Sequence, residues 1–147
     1  ARAHGSGAMV ALDPSGPAEQ VPEVVSDGYT NPFAFAVVEA ATDPGLDGAL
    51  WVADNAVGDD VERIGRGDLA DRDDHARSAV APRAPSAVIA LPDGDLAVCG
   101  FLDAELRRWT PTDGYGDAIG PCLTGATALA DGTIVTATAD ALVALAP

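Results

Sequence analysis

Three similar segments recur along the 147-residue chain, and this repetition constrains the fold more than any other sequence feature. Each copy contains an apolar run, an Asp-Gly pair, a β-rich run, a polar break and a second apolar run. The copies begin at Leu46, Leu91 and Leu129. Their Asp-Gly pairs recur about every 40 residues, which is the length of one four-stranded propeller blade. The repetition therefore predicts an all-β array of blades whose function lies in the loops at one face.

The Asp-Gly pairs predict tight hairpins. Each pair fits the two central positions of a type I′ turn, where both residues have positive φ. Apolar residues before the turn and β-branched or aromatic residues after it predict the two innermost strands of a blade. The predicted strand pairs are 33–38 with 50–52, 87–91 with 96–98, and 126–129 with 133–135, and third strands are predicted at 61–64, 105–109 and 141–146. A fourth copy of the third strand, at 9–12, places the start of this sequence in the middle of a blade.

These strands predict about three and a half four-stranded antiparallel blades in one partial β-propeller domain. The predicted parts are the outer strands of an incomplete blade at 1–28, a blade with an acidic loop at 65–83 in 29–83, a blade at 84–120 and the last blade at 121–147. A lone outer hairpin exposes a strand edge and cannot bury both faces. We therefore expect a protein partner or self-association to complete the propeller. Both a second copy, giving six blades in a two-fold dimer, and the rest of a longer chain remain open.

The charge of the chain limits its partners. Eight cationic residues, all Arg, stand against 23 acidic ones, for a net charge of −15. Nucleic acids and anionic lipids both require clustered cations, so we expect no nucleic-acid partner. No apolar run approaches the roughly 20 residues of a membrane helix, so no membrane insertion is predicted.

The two cysteines are predicted to lie at neighbouring blades. Cys99 closes the second strand of one blade, and Cys122 opens the first strand of the next. Those two points lie on the same face of a propeller, so a disulfide is compatible with the predicted fold; the alternative is two unpaired residues buried as small hydrophobes. An even cysteine count in an acidic, lysine-free chain favours a secreted or periplasmic location.

Two segments, DGYTNPFAFAV at 27–37 and LWVADNAVGDDVERI at 50–64, carry further motifs. They resemble the soluble quinoprotein glucose/sorbosone dehydrogenase family. Members of that family carry Gly-Leu-Arg-Asn-Pro-Phe-Gly, then Leu-Trp-Val-Thr-Glu-Asn-Gly-Pro and Asp-Glu-Leu-Asn-Arg-Ile. Residues 85–109 and 122–138 look like the family's last two blades. The resemblance implies a six-bladed propeller, of which this chain is the C-terminal half, and oxidation of a sugar by bound pyrroloquinoline quinone (PQQ) beside calcium.

The resemblance also implies cofactor-binding positions on the top face, which are neutral in this chain. Thr30 and Asn31 are the candidate cofactor-binding residues, but Thr30 replaces the family's Arg. Leu102, Cys122 and Thr124 align with its other three cations. Because the quinone carries three carboxylates, binding it without cations would leave buried charge uncompensated. The substitutions therefore favour loss of the quinone, so that no cofactor is expected.

A calcium site is a further candidate from the resemblance. The family holds its ion partly through the carbonyls of a Gly-Pro pair, which correspond to Ala56 and Val57. Asp54, Asn55 and Asp59 add the hard oxygen ligands that calcium prefers. The alternative is a set of polar loop residues that cap strand ends and solvate the surface.

No catalytic residue is predicted, since the family's His base belongs to its N-terminal half and this chain has only His4 and His75. The sequence therefore favours a non-catalytic extracytoplasmic propeller module that acts as a binding or assembly subunit. One alternative is a PQQ- and calcium-dependent aldose sugar dehydrogenase completed by another chain or by N-terminal blades. Another is a calcium-dependent lactonase, which is supported by Asn31, Asn55 and nearby acidic residues.

Overall fold

The computed structural model of the chain describes residues 7–29, 31–38, 48–55, 62–67 and 83–147. Within these ranges the chain forms β-strands and no helix, and so no helix that could cross a membrane. The strands are β1 (Gly7–Ala11), β2 (Glu23–Tyr29), β3 (Pro32–Val37), β4 (Leu50–Asp54), β5 (Arg63–Arg66), β6 (Pro85–Ala90), β7 (Leu96–Gly100), β8 (Glu105–Thr110), β9 (Gly114–Pro121), β10 (Gly125–Ala128), β11 (Ile134–Ala137) and β12 (Leu142–Leu145). The all-β prediction is confirmed. Strands β2 and β9 were not among the strands located from the sequence.

The strands form four antiparallel sheets, and within each sheet every strand pairs with the next one along the chain. Sheet 1 contains β1 and β2; sheet 2 contains β3, β4 and β5; sheet 3 contains β6 to β9; sheet 4 contains β10, β11 and β12. The repetition seen in the sequence is also present in the register of strand pairing. Strand β3 has an irregularity between Pro32 and Ala34, and β6 has the same irregularity between Pro85 and Ala87. Residues of β3 and β6 can therefore be compared one by one.

The prediction of type I′ turns is wrong where the structure describes the Asp-Gly pairs. Gly94 has φ 88°, whereas Asp93 and Asp131 are absent from the described non-glycine residues with positive φ. The amide of Gly94 donates to the carbonyl of Leu91 at 2.9 Å, and the same closure recurs in the third copy. This pattern is a type I turn followed by a left-handed glycine, which also matches strand twist. Pro92 at the first central position fixes a negative φ and so selects this turn.

The first copy closes in a similar way. The amide of Gly48 donates to the carbonyl of Val38 at 2.8 Å. The amide of Val38 donates to the carbonyl of Ala49 at 3.1 Å. Gly48 has φ 66°. Asp47 lies outside the described residues, so its predicted turn conformation stays a prediction.

Two apolar clusters hold the sheets together. The first lies between sheets 2 and 3 and includes Trp51 and Trp109, whose rings meet edge to face with centroids 5.2 Å apart. The second lies between sheets 3 and 4 and includes Ile89, Leu106 and Ile134. Strands β6 and β7 are therefore buried on both faces, which explains their nearly continuous apolar sequences.

Sheet 1 packs on sheet 2, where β1 contacts β3 and Ser26 contacts Gly67. The Ser26 hydroxyl donates to the carbonyl of Gly67 at 2.6 Å and shares a hydrogen bond of 2.9 Å with the hydroxyl of the fully buried Tyr29. Gly67 also lies close to β4, since an added Cβ at Gly67 would lie 2.6 Å from Val52 Cγ2. A larger residue at position 67 would therefore require the side chains of β4 to shift. Sheet 1 thus lies close to β4 and β5.

The predicted disulfide between Cys99 and Cys122 is confirmed, and the alternative of two free thiols is wrong. The two Cα atoms are 5.5 Å apart, and both residues are fully buried. Cys99 lies in β7, and Cys122 follows β9 just before the chain enters β10. The bond therefore links sheet 3 covalently to the segment that leads into sheet 4.

Candidate functional site

The predicted site residues in the described ranges lie at one edge of the stacked sheets. Strands β3, β6 and β10 begin at this edge, and β4, β7 and β11 end there. We call it the upper edge and define it by Asn31, Asn55, Ala84, Phe101 and Leu123. It is continuous across sheets 2 and 3 through a shared cavity, and across sheets 3 and 4 through the disulfide and a hydrogen bond to the Leu123 carbonyl.

Three predicted site residues meet at the end of sheet 2. The amide of Asn31 donates to Asp54 Oδ1 at 2.7 Å, and the amide of Asn55 donates to the Asn31 carbonyl at 2.9 Å. Asp54 is buried. The carboxylate therefore holds the start of β3 against the end of β4, which is the strand-capping role that the sequence left as the alternative to metal binding.

The remaining predicted ligands lie outside the described residues. These are Thr30 for the cofactor and Ala56, Val57 and Asp59 for calcium. His4, His75 and most of the acidic loop at 65–83 lie outside them too. In the ranges that the structure describes, no three His, Cys, Asp or Glu side chains form a group that could hold a metal ion. The calcium site accordingly stays a prediction.

The described positions that align with the family's cations do not fit a quinone with three carboxylates. Leu102 and Thr124 are exposed and uncharged, and the sulfur of Cys122 is used in the disulfide. Asn31 lies at the same edge, at the end of sheet 2, and its backbone amide and carbonyl are both engaged. The side chains at these three described positions therefore offer no cation to a quinone.

Sequence reasoning missed Arg83, the buried cation beside this edge. Arg83 is 4% exposed, just before β6. Its Nε donates to Asp103 Oδ2 at 2.6 Å and its Nη2 donates to Asp103 Oδ1 at 2.9 Å. Nη2 also donates to the Glu105 carbonyl at 2.9 Å, and the guanidinium lies 4.4 Å from the ring centroid of Tyr115. A two-point ion pair fixes both the position and the orientation of the guanidinium, so Arg83 is held by partners within the protein.

Glu62 connects this ion pair to sheet 2. Its carboxylate accepts hydrogen bonds from the amides of Arg83 and Ala84 at 2.7 and 2.8 Å. The carbonyls of the same two residues accept from Leu102 and Phe101 at 3.1 and 3.0 Å. Arg83 and Ala84, which lead into β6, are thus held on both sides. No local sequence pattern could have revealed it, because Arg83 is about 20 residues from each carboxylate partner.

Two residues that contact Arg83, namely Asp103 and Tyr115, have shifted pKa values. Burial works to raise the pKa of Asp103, but the hydrogen bonds and charge of Arg83 prevail and hold it below its usual value. Burial raises the pKa of the Tyr115 hydroxyl to about 12. These shifts favour an ionised Asp103 carboxylate and a neutral Tyr115 phenol around pH 7.

Two cavities lie at opposite edges of the stack. One of about 230 Å³ lies at the upper edge, and its walls include Phe33, Asn55, Ser86 and Phe101. It falls below the roughly 300 Å³ at which pockets for drug-sized ligands begin. A larger cavity of about 510 Å³ lies at the opposite edge between the turns of sheets 3 and 4, where Arg108 is one of its walls.

Arg108 is not free to bind an anion in that larger cavity. It pairs with Asp93 at 2.7 Å and with Asp95 at 2.9 Å. The cavity is otherwise lined mainly by apolar residues and by Asp131.

Neither the models of known protein families nor the curated protein sequences contain a match for this chain. The resemblance to the quinoprotein dehydrogenases therefore rests on the sequence motifs alone.

Proposed function

We propose that this chain is a non-catalytic β-propeller module that resembles part of a quinoprotein sugar dehydrogenase and acts as a binding or assembly subunit outside the cytoplasm. The observation that carries the proposal is the uncovered apolar side of β3 in sheet 2. A soluble module keeps such a surface when a partner covers it, because exposed apolar patches mark interaction sites.

The order of the sheets supports a propeller. Each of the four sheets is an antiparallel meander, and the first strands of sheets 2, 3 and 4 are neighbours in space. Propeller blades have this arrangement, with their first strands around a central channel. On this proposal sheet 3 is a complete blade, and sheets 1, 2 and 4 are parts of three more.

The uncharged residues at the positions aligned with the family's cations support loss of the quinone. Placing three carboxylates beside Leu102, the disulfide and Thr124 would leave them without cationic partners, at a cost of several kcal/mol. Arg83 could compensate only by leaving Asp103, the carboxylate that it contacts at two points. The disulfide supports an oxidising compartment, and hence secretion or export to the periplasm.

A thermal shift experiment tests the absence of a quinone site. A ligand at 100 times its Kd stabilises the native state by about 2.7 kcal/mol, which raises the melting temperature of a chain this size by about 5–10 °C. We expect no shift with PQQ and calcium together, with calcium alone, or with citrate as a tricarboxylate control. A shift that requires PQQ would support the alternative, a quinone-dependent sugar dehydrogenase completed elsewhere.

Native mass spectrometry of the protein purified from its own source tests the assembly role. We expect a complex with a partner chain. A lone chain with no bound partner would overturn the proposal.

A further inference from the structure

The segment that carries Cys122 is held by hydrogen bonds as well as by the disulfide. The amide of Cys122 donates to the carbonyl of Ala104 at 2.9 Å, which ties the segment to the turn before β8 in sheet 3. The amide of Leu123 donates to the carbonyl of Ala137 at 2.7 Å, which ties it to β11 in sheet 4. Backbone contacts on both sides therefore place Cys122 at the junction of the two sheets.

Ser86 adds a side-chain hydrogen bond to the same segment. Ser86 is buried and lies in β6. Its hydroxyl donates to the Leu123 carbonyl at 2.7 Å. The same hydroxyl lies 3.3 Å from the carbonyl of Cys99, on the neighbouring strand β7. One hydroxyl thus lies between the backbone of Cys99 and that of the residue that follows Cys122.

These contacts do not involve sulfur, so they can bring the two cysteines together before the disulfide forms. Ser86 belongs to the same hairpin as Cys99, because β6 pairs with β7. The hydrogen bond from Ser86 to Leu123 therefore fixes the neighbour of Cys122 against the hairpin that carries Cys99. The Cα atoms of the two cysteines are 5.5 Å apart, which is within the range that a disulfide requires.

We infer that Ser86 is a positioning residue for the disulfide. Its hydroxyl holds Cys122 beside Cys99 in the reduced protein and so raises the effective concentration of one thiol at the other. A segment that is already ordered loses less conformational freedom when the bond closes, and this favours closure. The ties from Ala104 and Ala137 use backbone groups, whereas Ser86 uses a side chain that a substitution can remove.

The reaction is thiol–disulfide exchange with a small disulfide such as glutathione disulfide. The thiolate of one cysteine attacks this oxidant, forms a mixed disulfide and releases one glutathione. The thiolate of the other cysteine then attacks the protein sulfur of the mixed disulfide, forms the bond between Cys99 and Cys122 and releases the second glutathione. Two protein thiols are oxidised, one glutathione disulfide is reduced, and the two thiol protons pass through water to the released glutathiones. Ser86 acts on the second step, in which both sulfurs that become joined belong to the protein.

The reduction potential of the disulfide in Ser86→Ala tests this role. The native protein is equilibrated in glutathione redox buffers, the exchange is quenched with acid, and the free thiols are counted by mass spectrometry after alkylation. We expect Ser86→Ala to lower the effective concentration about threefold to tenfold, which is the factor expected for one hydrogen bond between neutral groups. The reduction potential should accordingly rise by about 15–30 mV, so that the bond becomes easier to reduce.

Thr136→Val is the matched control. Thr136 is a buried residue of β11, and its hydroxyl has no hydrogen-bond partner among the described residues. The substitution therefore removes a buried hydroxyl from the neighbouring sheet without removing a described hydrogen bond, and the reduction potential should stay at the wild-type value. Ser86→Thr keeps the hydroxyl at a position that lines the upper-edge cavity, and it should keep a potential close to that of the wild type.

Three outcomes would overturn the inference. An unchanged potential in Ser86→Ala would leave Ser86 with a structural role alone, whatever the melting temperature of the variant. An equal rise in Thr136→Val would assign the effect to the loss of any buried hydroxyl. Loss of the strands from the reduced wild type, seen by circular dichroism, would mean that no fold aligns the two thiols. If only the reduced Ser86→Ala variant loses its strands, Ser86→Thr decides: a wild-type potential supports the inference, and a raised one refutes it.

Discussion

Removing the disulfide should cost this protein a large part of its stability. The bond joins residues separated by 23 positions, and a closed loop of that size is expected to stabilise the native state by about 3 kcal/mol through restriction of the unfolded chain. Both residues are fully buried, so Cys99→Ala with Cys122→Ala also removes sulfur contacts worth about 1 kcal/mol. Against a typical total of 5–15 kcal/mol, a loss of about 3–4 kcal/mol is severe.

Urea unfolding of the wild type and the double variant measures this loss. With a slope of about 2 kcal/mol per molar, the midpoint should fall by about 1.5–2 M. Repeating both titrations in strong reductant separates the cross-link from the packing. The wild type should then lose most of its advantage, because reduction opens its loop as it unfolds.

Two results would refute this reasoning. A loss below about 1 kcal/mol would mean that the link between β7 and the entry to β10 does not restrict the unfolded chain as the loop length requires. If the full difference in unfolding free energy between the wild type and the double variant persists in reductant, the effect comes from lost packing and not from the cross-link.

The ion pair beside the upper edge gives further predictions. Asp103→Ala leaves the buried charge of Arg83 without its carboxylate and should destabilise the protein by about 2–3 kcal/mol in urea unfolding, below the full value for a buried pair because the Asp103 side chain is 33% exposed. Since the native pKa of Asp103 is lowered, its contribution to the free energy of unfolding is present above the unfolded pKa near 4 and is lost as pH falls. Asp103→Asn should therefore flatten the loss of stability below about pH 4. An unchanged slope of stability against pH would contradict this. Gly100→Ala should weaken the same pair, because its Cβ would overlap the Asp103 carboxylate and lie 2.7 Å from Arg83 Nη2; a variant as stable as the wild type would count against it. Tyr115→Phe should remove a step near pH 12 from the absorbance titration at tyrosinate wavelengths, and a step surviving there would show that another group titrates.

The strands were predictable from sequence because their signals are local. The apolar runs on either side of Asp93-Gly94 predict β6 and β7 to within about two residues, and the positions of Cys99 and Cys122 at strand ends anticipate the disulfide. The turn type was not predicted, since the Asp-Gly pair also fits a three-residue loop in which Pro92 occupies the first central position.

The pairing of the buried Arg83 with Asp103 could not be predicted from sequence. It depends on bringing together positions 20 residues apart, with Glu62 reaching the same turn from another sheet. Conversely, Asn31 and Asp54 were singled out through a family resemblance. Their observed contact is one that caps strand ends, which is common in β-proteins whatever their function.

The stacking of sheet 3 between two apolar clusters has a consequence for how the molecule comes apart. In a stack where each sheet contacts only its neighbours, stability is close to a sum of nearest-neighbour interfaces. Sheet 3 carries two such interfaces and the disulfide, whereas sheet 4 carries one described interface. Opening should therefore spread inward from the ends of the stack, and the β6–β7 hairpin should retain its structure longest.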